Sequence, residues 1–399
     1  MFQSNREMFA SMSLESPHEP SKPAASGAKD ANQEANTETI IRCMKAALRT
    51  SLANVSMQQK ERPLNPTTDF VFKAKVSFNT ESKGAGGCCG SQPVRDAASS
   101  DDSDDGHLDI DTGFNFTDYA PMCYRHIREF FGVEWQQFQD VLVSSRWHSI
   151  PTPGKSTAQL FFCGQNWVVK TMTKEESKFL RDILHRYYYH VRDNPHTLLP
   201  HFVGHHSLSL EIDGTVKKIS FVIMQNVFAT PNKIHEKFDL KGSTVGRFAA
   251  PDERRKQTCT KKDLDIDRPM RIGSARRELL LGQMRRDCDF LRKASIMDYS
   301  FLIGIHRCDG GVPPPARRIA PEDETCFTAD QGGMMSAGGL TGEHEVYYVG
   351  IIDILQEYNL WKRSETAVRS VVDDAKEISS VHPKDYASRF IAFMSSIIV

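Results

Sequence analysis

No stretch of the 399 residues approaches the ~18–20 uninterrupted apolar residues that cross a bilayer as a helix. A secretory leader is also missing, because MFQSNREMFASMSLESPHEP has no apolar core after a basic start. The nine cysteines are odd in number and include no CxxC pair. That argues against a disulfide framework or a zinc site, and for a reducing compartment. Overall charge of one sign is lacking too, with 50 Lys and Arg against 51 Asp and Glu. Basic residues do cluster across 249–277, but with almost no aromatics between them, which excludes the stacking platform of a nucleic-acid module. These absences suit a protein of the cytosol or of a cytosolic surface.

What is present is unevenly spread. Residues 101–111, DDSDDGHLDID, are acidic, whereas Arg247 to Arg277 concentrates positive charge. The basic block is either a solvated loop or a face for an anionic partner. Residues 1–36 show almost no aliphatic periodicity and are expected as a disordered tail. From Thr37 the spacing of Ile40, Met44 and Leu48 predicts a helix over 38–55, and alternation in TTDFVFKAKVSFN predicts a strand over 69–78. Segments 81–110 and 308–344 have no periodicity and are expected as flexible insertions. A single amphipathic helix is predicted over 116–142, two short strands over 159–171 and a helix over 174–194. Further strands are expected at HHSLSL, KKISFVIMQNVF, 299–306 and 346–355, with helices at 274–295 and 384–398. Strands dominate the first half and helices the second, which suggests an α+β chain with two lobes.

Three positions carry the chemistry. Lys170 ends the apolar strand VVK behind the glycine-bearing loop PTPGKST; by itself it reads as a solvated strand cap or as one arrangement for holding nucleotide phosphates. Asp298 sits in IMDYSFLIGIH just before a strand, and Asp353 is expected to be buried inside the apolar run YYVGIIDILQEYN. A carboxylate left unpaired there would cost several kcal/mol, roughly. Phosphoryl transfer requires a phosphate-holding lysine, a carboxylate near the attacking hydroxyl and a carboxylate for Mg²⁺. The order Lys, Asp, Asp matches protein kinases, but their HRD and DFG tripeptides are absent. The His201 and His205 spacing of four suggests no complete metal site, and its Pro-Gly context predicts a loop.

KFDLKGST (237–244), IMDYSFLIGIH (296–306) and GIIDILQEY (350–358) together resemble the phosphatidylinositol phosphate kinase family. FTDYAPMCYRHIREFFGV, VVKTMTKEESKFLRDIL, NPHTLLPHFVG and SSVHPKDYASRF are similar to family segments in the same order. The resemblance implies a two-lobed, kinase-like α+β fold with antiparallel sheets in both lobes and flanking helices. Its lobes would be about 37–228 and 229–399. It implies ATP and Mg²⁺, with Gly154, Lys155 and Ser156 in the glycine loop, Lys170 on the phosphates and Glu175 or Glu176 orienting that lysine. Asn226 and Val227 would lie at the hinge beside adenine, Asp298 would act on the inositol hydroxyl, and Asp353 would bind the metal. Asp239, Lys241 and Arg247 match positions near the phosphates of lipid or nucleotide. Lys362 and Arg363, beside Trp361, match a basic pair facing anionic membrane. Glu365 falls where 4-phosphate 5-kinases carry Glu, which implies phosphatidylinositol 4-phosphate as substrate. The expected alternatives are a 4-kinase acting on the 5-phosphate, or a non-catalytic phosphoinositide-binding scaffold. The amino-terminal region resembles one that forms homodimers. Peripheral association with the cytosolic face of a membrane, first the plasma membrane, is expected through the domain's own surface. Two departures stand out: Thr157–Ala158 where the family has a second glycine, and a Cys88–Cys89 pair in the first insertion, expected as plain thiols with acylation as the alternative.

Overall fold

The computed structural model describes residues 26–57, 62–79, 112–150, 158–250, 256, 259–308, 327–337, 344–358 and 382–399. The chain divides into two compact units, Met1–Ile41 and Arg42–Val399. Helix α1 runs Ser26–Met57. It starts well before the expected Thr37, because residues 28–36 are mostly Ala, Lys, Gln, Glu and Asn without Gly or Pro to stop a helix.

Within the larger unit an antiparallel sheet of seven strands comes first. Its strands are β1 (Lys73–Phe78), β2 (Phe114–Tyr119), β3 (Trp147–Ile150), β4 (Leu160–Cys163), β5 (Trp167–Met172), β6 (Phe202–Ile212) and β7 (Thr215–Gln225). They lie in the order β1-β2-β6-β7-β5-β4-β3. The region expected as one helix over 116–142 is β2 followed by two helices, α2 (Pro121–Phe130) and α3 (Trp135–Ser144). Gly132, at φ 62°, breaks the periodicity, and Val133 N donates back to Arg128 O at 2.9 Å. The Glu134 carboxylate then accepts from Gln137 N at 3.1 Å and starts α3.

Helix α4 (Lys174–Asp193) follows β5 and opens with a reciprocal cap. Thr173 Oγ1 accepts from Glu176 N at 3.1 Å, while Glu176 Oε2 accepts from Thr173 N at 2.8 Å. Its apolar stripe, including Leu180, Ile183, Leu184 and Tyr187, is buried in the main core, each side chain contributing roughly 2 kcal/mol.

The second sheet holds β8 (Glu236–Leu240), β9 (Thr260–Lys261), β10 (Ser300–Cys308), β11 (Met334–Met335) and β12 (His344–Ile352) in the order β11-β12-β10-β8-β9. Every pairing is antiparallel except the two-residue β8–β9 contact. Helices α5 (Ser274–Lys293) and α6 (Pro383–Ile397) complete it. Part of 308–344 is therefore structured, as Met334 and Met335 pair with β12.

Asp287 of α5, fully buried, ties the first sheet's helix to the second sheet. Its carboxylate lies 2.7 Å from His190 Nε2 of α4 and accepts from Thr197 Oγ1 at 2.7 Å, Leu198 N at 2.8 Å and Gln283 Nε2 at 2.9 Å. Leu198 O in turn accepts from Ile351 N of β12 at 2.6 Å. A buried carboxylate is tolerated because donors surround it.

Candidate active site

Antiparallel register brings the two aspartates together. β10 starts at Ser300, β12 ends at Ile352, and these residues face each other across the ladder. Asp298 precedes the first and Asp353 follows the second, so both carboxylates emerge at one end of one strand pair. Beyond them the segments rejoin, with Ile296 bridging Glu357 and Tyr358 N donating to Ser295 O at 2.8 Å. Both aspartates adopt the left-handed region, at φ 62° and 61°. Asp tolerates that conformation better than most residues, yet it still carries strain of the kind found at functional loops.

Each aspartate meets a lysine. Lys170 of β5 donates from Nζ to Asp353 Oδ1 at 2.9 Å, joining the two sheets across the cleft. Lys241 is the first residue past β8, where Leu240 faces Phe301 of β10, and its Nζ donates to Asp298 Oδ1 at 2.6 Å. Asp353 was expected inside a buried strand. Its side chain is instead 54% exposed, because it falls just past the end of β12. The orienting role expected for Glu175 or Glu176 is not seen. Glu176 is engaged in the α4 cap, and Glu175 is exposed in a first helical turn that favours negative charge.

Sequence reasoning missed the residue that shapes the DLKGST loop. Asp263, 5% exposed, accepts from Lys241 N at 2.9 Å, Gly242 N at 2.6 Å and Arg247 Nε at 2.6 Å. Arg247 also donates to the Asp239 backbone carbonyl and to Asp239 Oδ1 at 3.1 Å. Burial alone would lower the Arg247 pKa, but Asp239 and Asp263 more than offset it and raise the value. Arg247 and Asp239, expected near phosphates, thus brace the loop that presents Lys241. Gly242 takes φ 68° beneath the backbone of Phe390 and Arg389, where a Cβ would lie 3.2 Å from Phe390 Cα and 3.3 Å from Arg389 O. Nothing in KKDLDID singles out Asp263, whose partners are remote in sequence.

Two strand glycines, also missed, seat the hinge. A Cβ on Gly350 would lie 3.1 Å from Val227 Cγ2, and one on Gly304 would lie 2.5 Å from Phe228 Cε1. A glycine inside a strand is the available signal, since it marks close approach by another segment. Asn226 turns the hinge: its Nδ2 donates to Gln165 O at 2.8 Å, and its Oδ1 accepts from Phe228 N at 3.0 Å. Neither the N–H nor the C=O of Val227 makes a backbone hydrogen bond among the described residues. The hinge borders a pocket lined also by Pro200, His201, Ala329 and Ile351.

Part of the basic block is neutralised at its base. Lys261 and Arg268 each reach Glu236 at 2.6 Å, and Arg307 pairs with it as well. Burial would raise the Glu236 pKa, but these partners hold it down to about 2. His205 lies in β6 rather than in the expected loop, fully buried, with Nε2 2.9 Å from Ser177 Oγ. Burial, then His206 and Arg181, keep its pKa well below the ordinary value. Among the described residues no group of three His, Cys, Asp or Glu side chains could hold a metal by itself, and no helix is long and apolar enough to cross a membrane. Gly154, Lys155, Ser156, Thr157, Lys362, Arg363, Glu365 and Cys88–Cys89 lie outside the described residues, as do insertion 81–110 and block 101–111.

A strand lysine of one sheet, aspartates at the strand ends of a second and a glycine-seated hinge between them define a two-lobed kinase-like fold. Residues 142–397 match the family model described as phosphatidylinositol-4-phosphate 5-kinase. A probable phosphatidylinositol phosphate kinase of Dictyostelium discoideum is 35% identical over 348 residues, covering 71% of this chain and 48% of that protein. A phosphatidylinositol 4-phosphate 5-kinase of Schizosaccharomyces pombe is 32% identical over 349 residues (71% and 46%), and the mouse type-1 beta enzyme 33% over 317 (71% and 58%). The chain belongs to the phosphatidylinositol-4-phosphate 5-kinase family. It spans about half the length of the curated relatives it matches.

Proposed function

We propose that this chain transfers the γ-phosphate of ATP to the inositol ring of phosphatidylinositol 4-phosphate, giving the 4,5-bisphosphate. The observation that carries this is the pair of Lys–Asp contacts at one end of the β10–β12 ladder, Lys170 with Asp353 and Lys241 with Asp298. Kinase-type transfer relies on positioning and charge stabilisation more than on covalent chemistry, which suits such a set. Lys170 would turn from Asp353 to the ATP phosphates, and the backbone of Val227 offers hydrogen bonds to adenine. The single half-exposed carboxylate of Asp353 fits Mg²⁺, which usually takes one or two carboxylates and fills its shell with phosphate and water oxygens. That ion would neutralise charge on the transferring group. Asp298 accepts the proton of the ring hydroxyl as its oxygen bonds to Pγ and the bond to ADP breaks. Lys241, held by the Asp263 bracket, reads the phosphate already on the ring, while Arg247 keeps the loop in place.

Gly154, Lys155 and Ser156 would cover the ATP phosphates, while Lys362, Arg363 and Glu365 would meet membrane and headgroup. The lipid substrate places the protein peripherally on a cytosolic membrane face, and a homodimer is the expected assembly. The test is a labelled-ATP assay with Mg²⁺ on vesicles carrying phosphatidylinositol, its 4-phosphate or its 5-phosphate. Label on the 4-phosphate lipid is the expected result. No label on any lipid refutes the kinase assignment, whereas preference for the 5-phosphate refutes only the role given to Glu365.

A further inference from the structure

Among the described residues, large exposed apolar side chains gather in two places, Val71 with Phe72 before β1 and a group of three beside the site. Val245 is 38% exposed, Phe248 50% and Leu264 45%. Their segments run side by side, because Leu264 N donates to Arg247 O at 3.1 Å and Ala249 N donates to Asp265 Oδ2 at 2.8 Å. The sequence around Leu264 is acidic, yet Asp263 is buried and Asp265 half-buried. Asp263 is spent on Lys241 N, Gly242 N and Arg247, and Asp265 accepts from Ala249 N and from Lys262 N at 3.0 Å. Leu264 alone of the three is exposed. On the facing segment, Gly246 at φ 67° makes the turn that sends Arg247 inward to Asp263 and leaves Val245 and Phe248 outside. Lys262, half-buried, stands two residues before Leu264 and donates its backbone N–H to Asp265.

We propose that Val245, Phe248 and Leu264 form an apolar tip that enters the interfacial layer of an anionic bilayer and sets the Lys241–Asp298 pair at headgroup depth. This rests on the lipid-kinase assignment above. Three points favour a bilayer as the occupant. Apolar side chains with a lysine beside them, Lys262, match the boundary between acyl chains and anionic headgroups. The tip is on the same loop as Lys241, three residues beyond Gly242, so inserting it brings that lysine to the surface where a lipid phosphate lies. Three side chains cannot supply the roughly 800 Å² per partner that a stable protein interface buries.

The experiment uses the full chain and sedimentation with phosphatidylcholine–phosphatidylserine vesicles that contain no phosphoinositide. The triple variant V245S/F248S/L264S is expected to bind these vesicles about ten-fold more weakly or less. V216S, at a still more exposed apolar position on the β6–β7 hairpin, leaves binding unchanged. Turnover of a water-soluble short-chain phosphatidylinositol 4-phosphate stays at the parent level in the triple variant, while turnover of the same headgroup in vesicles falls. Phe248→Trp supplies a second readout, an added blue-shifted emission when vesicles are present. Vesicle binding by the triple variant equal to the parent's, or no emission shift in the tryptophan variant, overturns the proposal. So does a variant whose only change is reduced self-association, which would make the patch a contact between copies. If the parent turns over neither substrate but vesicle binding still falls in the triple variant, the tip stands and the kinase assignment falls.

Discussion

Replacing Asp263 by alanine is the most revealing single change. The carboxylate is 1% exposed and Arg247 10%, so solvent screens little of their interaction. Breaking a buried ion pair by removing one partner costs about 3–5 kcal/mol, because the remaining charge stays desolvated. Arg247 keeps Asp239 at 3.1 Å as a second carboxylate, which brings the expected loss to the lower end, about 3 kcal/mol. Two backbone N–H groups, of Lys241 and Gly242, also lose their acceptor. The assay is urea unfolding of the parent, Asp263→Ala, Arg247→Met and the double variant. The double variant should be less destabilised than the sum of the singles by about 2 kcal/mol, since neither charge is then left without its partner. With Lys241 no longer pinned, kcat/KM on phosphatidylinositol 4-phosphate should fall by roughly ten-fold even where the variant is folded. A loss below about 0.5 kcal/mol for Asp263→Ala, or strict additivity in the double variant, would show that Asp263 does not organise the loop.

Asp298→Asn should abolish lipid product while leaving vesicle binding near the parent level. Loss of both together would point to a structural role instead. Gly350→Ala pushes a methyl to 3.1 Å from Val227, and a strain of about 1 kcal/mol at the hinge should raise the ATP KM roughly five-fold with the lipid KM unchanged. An equal rise in both would dissociate the hinge from nucleotide binding. Acid should destabilise the fold in two windows. His205 has a lowered folded pKa, so the unfolded chain takes the proton first and stability falls as pH drops below its ordinary value of 6.5. Glu236 contributes stability that is complete above 4.5 and is lost as pH falls toward about 2. Urea midpoints across that range should flatten in the lower window for Glu236→Gln, and an unchanged slope would remove Glu236 as its source.

Much of the architecture was legible because it follows local periodicity. The α4 and α5 helices and strands β6, β7, β10 and β12 were expected within a few residues of where they occur. The single helix expected over 116–142 failed at Gly132, where an apolar pattern runs on through a left-handed glycine that ends one helix before another begins. Asp353 was read as buried because a run of isoleucines surrounds it, but whether a residue lies inside a strand or one step past its end depends on where the partner strand stops.

The sequence alone determined which residues could carry phosphoryl transfer: Lys170, Lys241, Asp298 and Asp353 all stand in stretches whose composition and family likeness mark them. Tertiary structure decided how they are placed. Antiparallel register, rather than any local pattern, places both aspartates at one end of one strand pair. Asp263, remote from the loop it shapes and unremarkable among its neighbours, turns Arg247 into a brace and Lys241 into the residue presented to Asp298. Contacts of that kind join residues 16 to 57 positions apart, and no periodicity encodes them because they exist only once the chain has folded.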